Sequence, residues 1–353
     1  RAFMTWKDTP ISTRARVFLK LQQLIRENMA KLAAGLTAEQ GKTLIDAEGD
    51  VFRGLEVVEH ACSIGNLQLG EFAENVASGV DTYTIRQPLG VCAGITPFNF
   101  PAMIPLWMFP MAIVTGNTFV LKPSEQVPMT SMLLAELAMQ AGVPPGVLNV
   151  IHGGKEAVDL LCTHKDIKAV SFVGSCHVGE HVYNLGSKHG KRVQSMMGAK
   201  NHCVVMPDAN KEQALNALAG AAFGAAGQRC MAISVSVMVG DASKWIPDLV
   251  TKAKSLKVAA GNDKGADVGP LVSKSAKLRV TGLIEKGIAE GAKCELDGSK
   301  VNVTGFEQGN FVGPTIFSGV KPTMSIYDTE IFGPVLSIVS VDTLDQAIEL
   351  INA

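Results

Sequence analysis

The sequence predicts an α/β protein: a doubly wound, mostly parallel sheet followed by a second α/β domain. Three observations carry this. From about residue 90 onward, short apolar runs without polar alternation take turns with helical segments, as in β-α-β units whose strands are covered on both faces. The chain has 353 residues, which suits two domains or one large one. Hydrophobic residues make up 47% and charged residues 18%, enough apolar material for a sizeable core and too little charge for disorder.

The first 65 residues read as helices. Ser12 is placed to cap the first of them, and Val17, Leu21, Leu24, Ile25 and Leu32 recur at helical spacing. A second helix follows Asp46, with Val51, Leu55, Val58 and Cys62 on one stripe. Residues 82–86 alternate and predict an exposed strand or arm. Buried strands are expected at 90–95, 118–121, 147–151 and 169–173, joined by helices near 103–114, 128–141, 155–162 and 176–186. Pro128 sits where a first-turn proline belongs, and Gly142 where a helix stops. After about residue 198 the theme repeats: an Ala/Gly-rich helix over 211–226, a strand over 234–239, a helix over 243–255, and strands near 312–317 and 335–341. No linker, low-complexity tract or internal repeat interrupts this.

Composition narrows the function. The 32 Lys and Arg against 33 Asp and Glu leave a net charge of −1, which removes the electrostatic footprint of a general nucleic-acid binder. Residues 87–121 contain no charged side chain, long enough for a membrane span by length alone. Pro97, Pro101, Pro105 and Pro110 interrupt the run, so it reads as buried interior. Seven scattered cysteines without C-x-x-C spacing read as free thiols in a reducing compartment and supply no metal site. Cys62, Cys92, Cys162 and Cys203 lie in apolar runs and read as core; Cys176 and Cys294 carry no distinguishing signal.

Five motifs bear on chemistry. Gly35 to Thr43 imitates a phosphate-binding P-loop, but it has one residue too many and follows a helix, so it reads as a helix-connecting turn. Ser171-Phe-Val-Gly174-Ser175-Cys-His-Val-Gly179 runs from a strand through glycines into a helix, where helix amides meet phosphate or where glycines merely pack. Lys122-Pro-Ser-Glu125 follows a strand directly; its cation and carboxylate suit ribose hydroxyls, or form a solvated turn. Gly224-Ala-Ala-Gly227-Gln228-Arg229-Cys230 ends a helix in a glycine turn that delivers a thiol beside a guanidinium, a setting for a reactive cysteine. Thr96-Pro97-Phe98-Asn99-Phe100-Pro101 fixes an asparagine amide between prolines, as an oxyanion donor or a turn residue.

Together, P-F-N-F-P, K-P-S-E, F-V-G-S-x-x-x-G, G-Q-R-C and E-I-F-G-P (Glu330 to Pro334) resemble the aldehyde dehydrogenase superfamily, in its order and spacing, over essentially the whole chain. The resemblance implies a Rossmann-type NAD-binding domain over 1–69 and 89–197, part of an oligomerisation arm over 70–88, and a catalytic domain over 198–353. It implies Cys230 as nucleophile and Asn99 as oxyanion donor. Lys122 and Glu125 would hold the adenosine ribose, Ser175 the pyrophosphate, Glu330 and Phe332 the nicotinamide ribose and ring, with Thr96 and Phe98 lining the same cleft.

One departure matters. Where most of the family carries a glutamate general base, this chain has Met196, in Met196-Met197-Gly198-Ala199-Lys200, and a thioether takes no proton. The stretch Met197 to His202, with Gly224 to Ala232, resembles a branch of the superfamily that releases its acyl group to coenzyme A. That branch acts on a semialdehyde bearing a carboxylate, and by resemblance Arg53 and Arg229 bind it; structurally, Arg229 also suits a partner for a buried acid and Arg53 a helix-surface charge. Two other readings stay open: a hydrolytic NAD-dependent enzyme with its base elsewhere, and an inactive protein that keeps the fold. The resemblance further implies a small-molecule aldehyde substrate, a homo-oligomer and, from the animal enzymes of the branch, a mitochondrial matrix location. The charge balance and the prolines of the uncharged run lead to the expectation of no nucleic-acid and no membrane partner. Relative to the family the chain reads as the interior of a longer enzyme, expected to be poorly active alone.

Overall fold

The apolar stripe at the start of the chain folds as two helices. In the computed structural model, which describes residues 1–353, the chain divides into two units, Arg1–Glu39 with Ala47–Met197, and Gln40–Asp46 with Gly198–Ala353. The helices are α1 (Phe3–Trp6), α2 (Ile11–Glu27), α3 (Met29–Gln40), α4 (Leu44–Cys62) and α5 (Ile64–Leu67). The expectation for Ser12 needs correction: Pro10 stands at the start of α2 with an extended ψ of 140°, and Ser12 lies within the first turn. Asn28 ends α2, its side-chain amide donating to the Leu24 carbonyl at 2.8 Å, so one of the orphan carbonyls of a helix end is satisfied and the stripe restarts in α3.

A hairpin follows, β1 (Phe72–Ala77) and β2 (Val80–Tyr83), antiparallel and exposed at every residue. The strand expected over 82–86 therefore lies earlier and ends at Tyr83. The first unit's main sheet contains β3 (Val91–Ile95), β4 (Thr118–Lys122), β5 (Leu148–Val150), β6 (Ile167–Val173) and β7 (Arg192–Met196). They are joined by α6 (Met103–Val114), α7 (Met129–Ala141), α8 (Lys155–Thr163) and α9 (Cys176–Lys188). The order is β5-β4-β3-β6-β7, all parallel, which is the doubly wound arrangement. Ile95 stands opposite both Lys122 and Phe172, so the carboxyl ends of β3, β4 and β6 lie level where the winding reverses, the place such sheets bind ligands.

The uncharged run is β3, α6 and β4, mostly buried, and no helix of the chain is long and apolar enough to cross a membrane. Its prolines act differently from one another. Pro97 and Pro101 lie in the β3–α6 connection, whereas Pro105 and Pro110 sit inside α6; Pro105 falls in the first turn, where no N–H is needed. Helix α7 runs between Pro128 and Gly142, whose φ of 103° supplies the left-handed stop. The Glu39 carboxylate accepts from the Met129 and Thr130 N–H groups at 2.7 and 2.9 Å, a negative charge on the positive end of α7.

The second unit carries β8 (Asn201–Val205), α10 (Lys211–Phe223), β9 (Ile233–Val239), α11 (Ile246–Lys254), α12 (Lys274–Ala289), β10 (Lys293–Leu296), β11 (Thr315–Ser318), α13 (Ser325–Asp328), β12 (Val335–Val341) and α14 (Leu344–Asn352). Its sheet order is β10-β11-β12-β9-β8, with only β10 antiparallel. The helix expected over 211–226 stops at Phe223, because Ala225 and Ala226 turn left-handed. The helix expected over 243–255 begins as a 3-10 turn, Gly240–Trp245, before α11.

Each unit has its own core. In the first, Phe109, Ile113, Leu106 and Phe18 pack with Leu21 and Val51; in the second, Phe317, Val237, Ile338 and Leu336 pack with Leu249. All seven cysteines are free, and burial pushes the Cys92 and Cys162 thiols up to about 11. Cys62 and Cys203 are half-buried rather than wholly interior. Phe109→Ala removes a fully buried ring and is expected to lower unfolding stability by about 3–5 kcal/mol. The exposed Leu278→Ala should stay within about 0.5 kcal/mol. Chemical denaturation of the two variants beside the parent measures both.

Candidate active site

In the first unit, the carboxyl edge of the sheet gathers five of the residues singled out from the sequence. Thr96 and Phe98 follow β3, Lys122 ends β4 with Glu125 three residues on, and Ser175 stands at the start of α9. The Thr96 N–H donates to the Lys122 carbonyl at 3.1 Å. Lys122 is buried at 3% exposure, its ammonium donating to the Gly153 carbonyl at 2.7 Å and pairing with Glu125 at 3.3 Å. Glu125 is itself exposed. Burial raises its pKa, but its own backbone hydrogen bond and the Lys122 charge outweigh this and hold it below the usual range. An ionised, exposed carboxylate of this kind accepts hydroxyl protons.

The turn from β6 into α9 fits an anionic group by its own geometry. Helix α9 has 13 residues, no acid in its first turn and no side-chain cap from Ser175, so its leading N–H groups and dipole face outward. The second glycine of this motif has a packing role: a Cβ at Gly179 would lie 2.2 Å from the Met197 side chain. Asn99, in the β3–α6 connection, is buried at 3% exposure. Arg53, on α4, is exposed and pairs with Glu56 at 3.1 Å. Met196 ends β7 with its side chain exposed.

In the second unit, the thiol is delivered by strained backbone. Ala225, Ala226 and Gly227 have φ of 50°, 54° and 68°, a left-handed run that alanine adopts only when surroundings enforce it. A Cβ at Gly227 would lie 2.1 Å from the Gly333 carbonyl oxygen, so only glycine fits. Beyond the turn, the Asn201 amide donates to the Cys230 and Ala232 carbonyls at 2.8 and 2.9 Å. Gln228 is buried, donating to the Pro270 carbonyl at 3.4 Å and accepting from the Val272 N–H at 3.0 Å.

Cys230 opens on a small cleft with Arg229, Ala199, Glu330, Phe332 and Gly333 among its lining. Burial pushes its thiol above the ordinary value; backbone hydrogen bonds at Cys230 and Met231 pull it down, and Glu330 pushes it up. Arg229 is ion-paired with Asp46. The Ala199 N–H donates to the Glu330 carboxylate at 3.3 Å, and the Lys200 ammonium donates to the Ile326 and Thr329 carbonyls at 2.8 and 2.7 Å. Burial pushes Lys200 down to about 8, against the charges of Glu330 and Asp328. Phe332 has a φ of 52°. Asp46, Asn201 and Lys200 had no assigned role from the sequence: Asn201 and Lys200 stood only within the stretch Met197 to His202, and Asp46 only as the residue that a helix follows.

A partly buried cysteine on an over-determined turn, beside a carboxylate and a guanidinium, is a site for covalent chemistry on an electrophile. A level row of strand ends opening on an uncapped helix is a site for a nucleotide. The match to the aldehyde dehydrogenase family model over residues 1–353 agrees with both, and the chain belongs to that family. A human mitochondrial methylmalonate-semialdehyde/malonate-semialdehyde dehydrogenase (acylating) is 61% identical over 352 residues, all of this chain and 66% of that one. An Arabidopsis thaliana methylmalonate-semialdehyde dehydrogenase (acylating) is 60% identical, with 58% of its length covered. This chain thus spans less than two thirds of these relatives. Among solved structures, a methylmalonate-semialdehyde dehydrogenase from Oceanimonas doudoroffii matches with a TM-score of 0.98 at 47% identity, covering 100% of this chain and 72% of that one. A Sinorhizobium meliloti protein complexed with NAD matches with a TM-score of 0.97 at 51% identity, covering 99% and 72%.

Two outcomes follow for the thiol. Alkylation of Cys230 by iodoacetamide in the absence of cofactor should rise with pH to a midpoint above the ordinary cysteine value of about 8.5, because burial disfavours the thiolate; a mass-spectrometric rate profile reads it. Gly227→Ala should change that rate at least several-fold, since the added Cβ displaces the turn from Gly333.

Proposed function

We propose that this chain carries the active site of a coenzyme A-acylating, NAD-dependent dehydrogenase acting on methylmalonate semialdehyde and malonate semialdehyde. The observation that carries the reading is Cys230 on its left-handed turn, combined with methionine in place of the general base at residue 196. The names of relatives near 60% identity support the substrate and the acylating outcome.

In this reading Lys122 and Glu125 hold the adenosine ribose, and Ser175 with the first amides of α9 holds the pyrophosphate. Glu330 and Phe332 meet the nicotinamide ribose and ring, with Thr96 and Phe98 alongside. NAD supplies a hydride acceptor. Arg53 and Arg229 bind the substrate's carboxylate. The Cys230 thiolate adds to the aldehyde carbon, and the Asn99 amide and the Cys230 N–H donate to the oxygen that becomes negative. Reformation of the carbonyl expels hydride and leaves a thioester on Cys230. The substrate carboxylate departs as carbon dioxide, its electrons passing through an enolate that takes up a proton. Coenzyme A thiolate then displaces Cys230, giving propionyl-CoA, or acetyl-CoA from malonate semialdehyde. A thiolate attacks a thioester without the water-activating base that Met196 replaces.

The exposed apolar residues of the hairpin, Phe72, Val76, Val80 and Tyr83, suit pairing with a second copy of the chain. The mitochondrial relatives support a mitochondrial matrix location.

Aldehyde-dependent NADH formation with and without coenzyme A tests the reading. Coenzyme A should accelerate turnover at least about 10-fold, the product should be acyl-CoA, and Cys230→Ala should abolish both. Unchanged turnover with free acid as the main product would contradict it. Met196→Glu should divert a measurable share of product from acyl-CoA to free acid, since it returns a carboxylate base.

A further inference from the structure

Arg229 does not face its cleft as a lone cation. Its guanidinium is ion-paired with Asp46, the two side chains 28% and 17% exposed. It lies flat against Gly224, where a Cβ would be 2.6 Å from its terminal nitrogen. The other oxygen of Asp46 accepts from the Ala225 N–H at 3.1 Å and the Thr43 hydroxyl at 3.2 Å. Thr43 in turn accepts from the Asp46 N–H at 3.2 Å, capping the first turn of α4. One carboxylate therefore joins the guanidinium to the left-handed turn that delivers the thiol.

We propose that Asp46 is a positioning residue: it aims Arg229 at the carboxylate of the substrate and, through the Ala225 N–H, fixes the turn before Cys230. The proposal rests on reading Arg229 as the carboxylate ligand. A free arginine side chain samples many rotamers, and ordering it on binding costs affinity; a partner already bonded to one edge of the fork removes most of that cost. Arginine has five N–H donors, so the guanidinium can hold Asp46 and still present donors to a second carboxylate. Asp46 also keeps the half-buried cation from standing uncompensated when no substrate is bound.

Two substitutions separate the two roles. Asp46→Asn keeps an oxygen for the Ala225 N–H but places an amide, itself a donor, against Arg229. Asp46→Ala removes both contacts. In the full protein with NAD and coenzyme A, the measured quantity is the ratio of kcat/KM for malonate semialdehyde over that for propanal, which has no carboxylate. Arg229→Gln sets the floor of this ratio. Asp46→Asn should lower the ratio about 10-fold, the size of one charge-assisted hydrogen bond, chiefly through KM for malonate semialdehyde. Asp46→Ala should lower the ratio similarly and also reduce kcat for both aldehydes. A readout free of turnover accompanies this: malonate should protect Cys230 from iodoacetamide in the parent and several-fold more weakly in Asp46→Asn.

Thermal melts establish that each variant is folded. If Asp46→Asn keeps the parental ratio and protection while Arg229→Gln loses both, Asp46 does not position Arg229, and the carboxylate reading of Arg229 stands. If Asp46→Asn lowers both aldehydes equally, Asp46 supports only the turn and the proposal falls. If Arg229→Gln itself keeps the ratio and the protection, the carboxylate reading fails and the role of Asp46 fails with it.

Discussion

Three consecutive left-handed residues, Ala225, Ala226 and Gly227, are the constraint that sets where the Cys230 thiol stands in the second unit. For each alanine this conformation costs roughly 1–2 kcal/mol, so neighbours must impose it. Gly333 closes on Gly227 from one side, and Asp46 takes the Ala225 N–H. Gln228 and Asn201 then tie down the backbone on the far side of the turn. A straight continuation of α10 would place Cys230 elsewhere on a helix surface. The break turns the chain so that the thiol meets a cleft with Glu330 and Phe332.

The first unit meets a different demand with a different device. Its sheet is parallel throughout, and the candidate residues collect where β3, β4 and β6 end level. There the polar groups are few and directed: one buried ammonium, one exposed carboxylate and one uncapped helix. A parallel sheet buried on both faces leaves only its ends for such groups, which is why a nearly uncharged stretch of sequence leads directly to Thr96, Asn99 and Lys122.

Much of this was legible in the sequence because its cause is local. Four strands of the first sheet, β3 to β6, announce themselves as unalternating apolar runs, α6 and α7 fall within a residue of expectation, and the thiol-bearing glycine turn stands out by composition. What escaped has a nonlocal cause. Helix α10 looks continuous through Ala225 and Ala226, good helix formers, because the contacts at the break, Asp46 on the Ala225 N–H and Gly333 against Gly227, come from distant parts of the chain. The break at Asn28 lies between two helical stripes of the same character. β7 and α12 were missed since each exposes most of one face: Arg192–Met196 alternates at an edge, and α12 fully buries only Val280, Ile284 and Gly287. Asp46 reads as an ordinary first-turn acid until folding brings Arg229 to it across 183 positions.

In the proposed reading Cys230 carries an acyl group that only coenzyme A removes quickly. Mass spectrometry of the protein incubated with NAD and propanal, without coenzyme A, addresses it directly. A propanoyl adduct should accumulate on the peptide containing Cys230 and disappear on addition of coenzyme A, with propionyl-CoA formed in equal amount. No adduct on Cys230, or an adduct that hydrolyses at the same rate with and without coenzyme A, would mean that Cys230 does not pass an acyl group to coenzyme A.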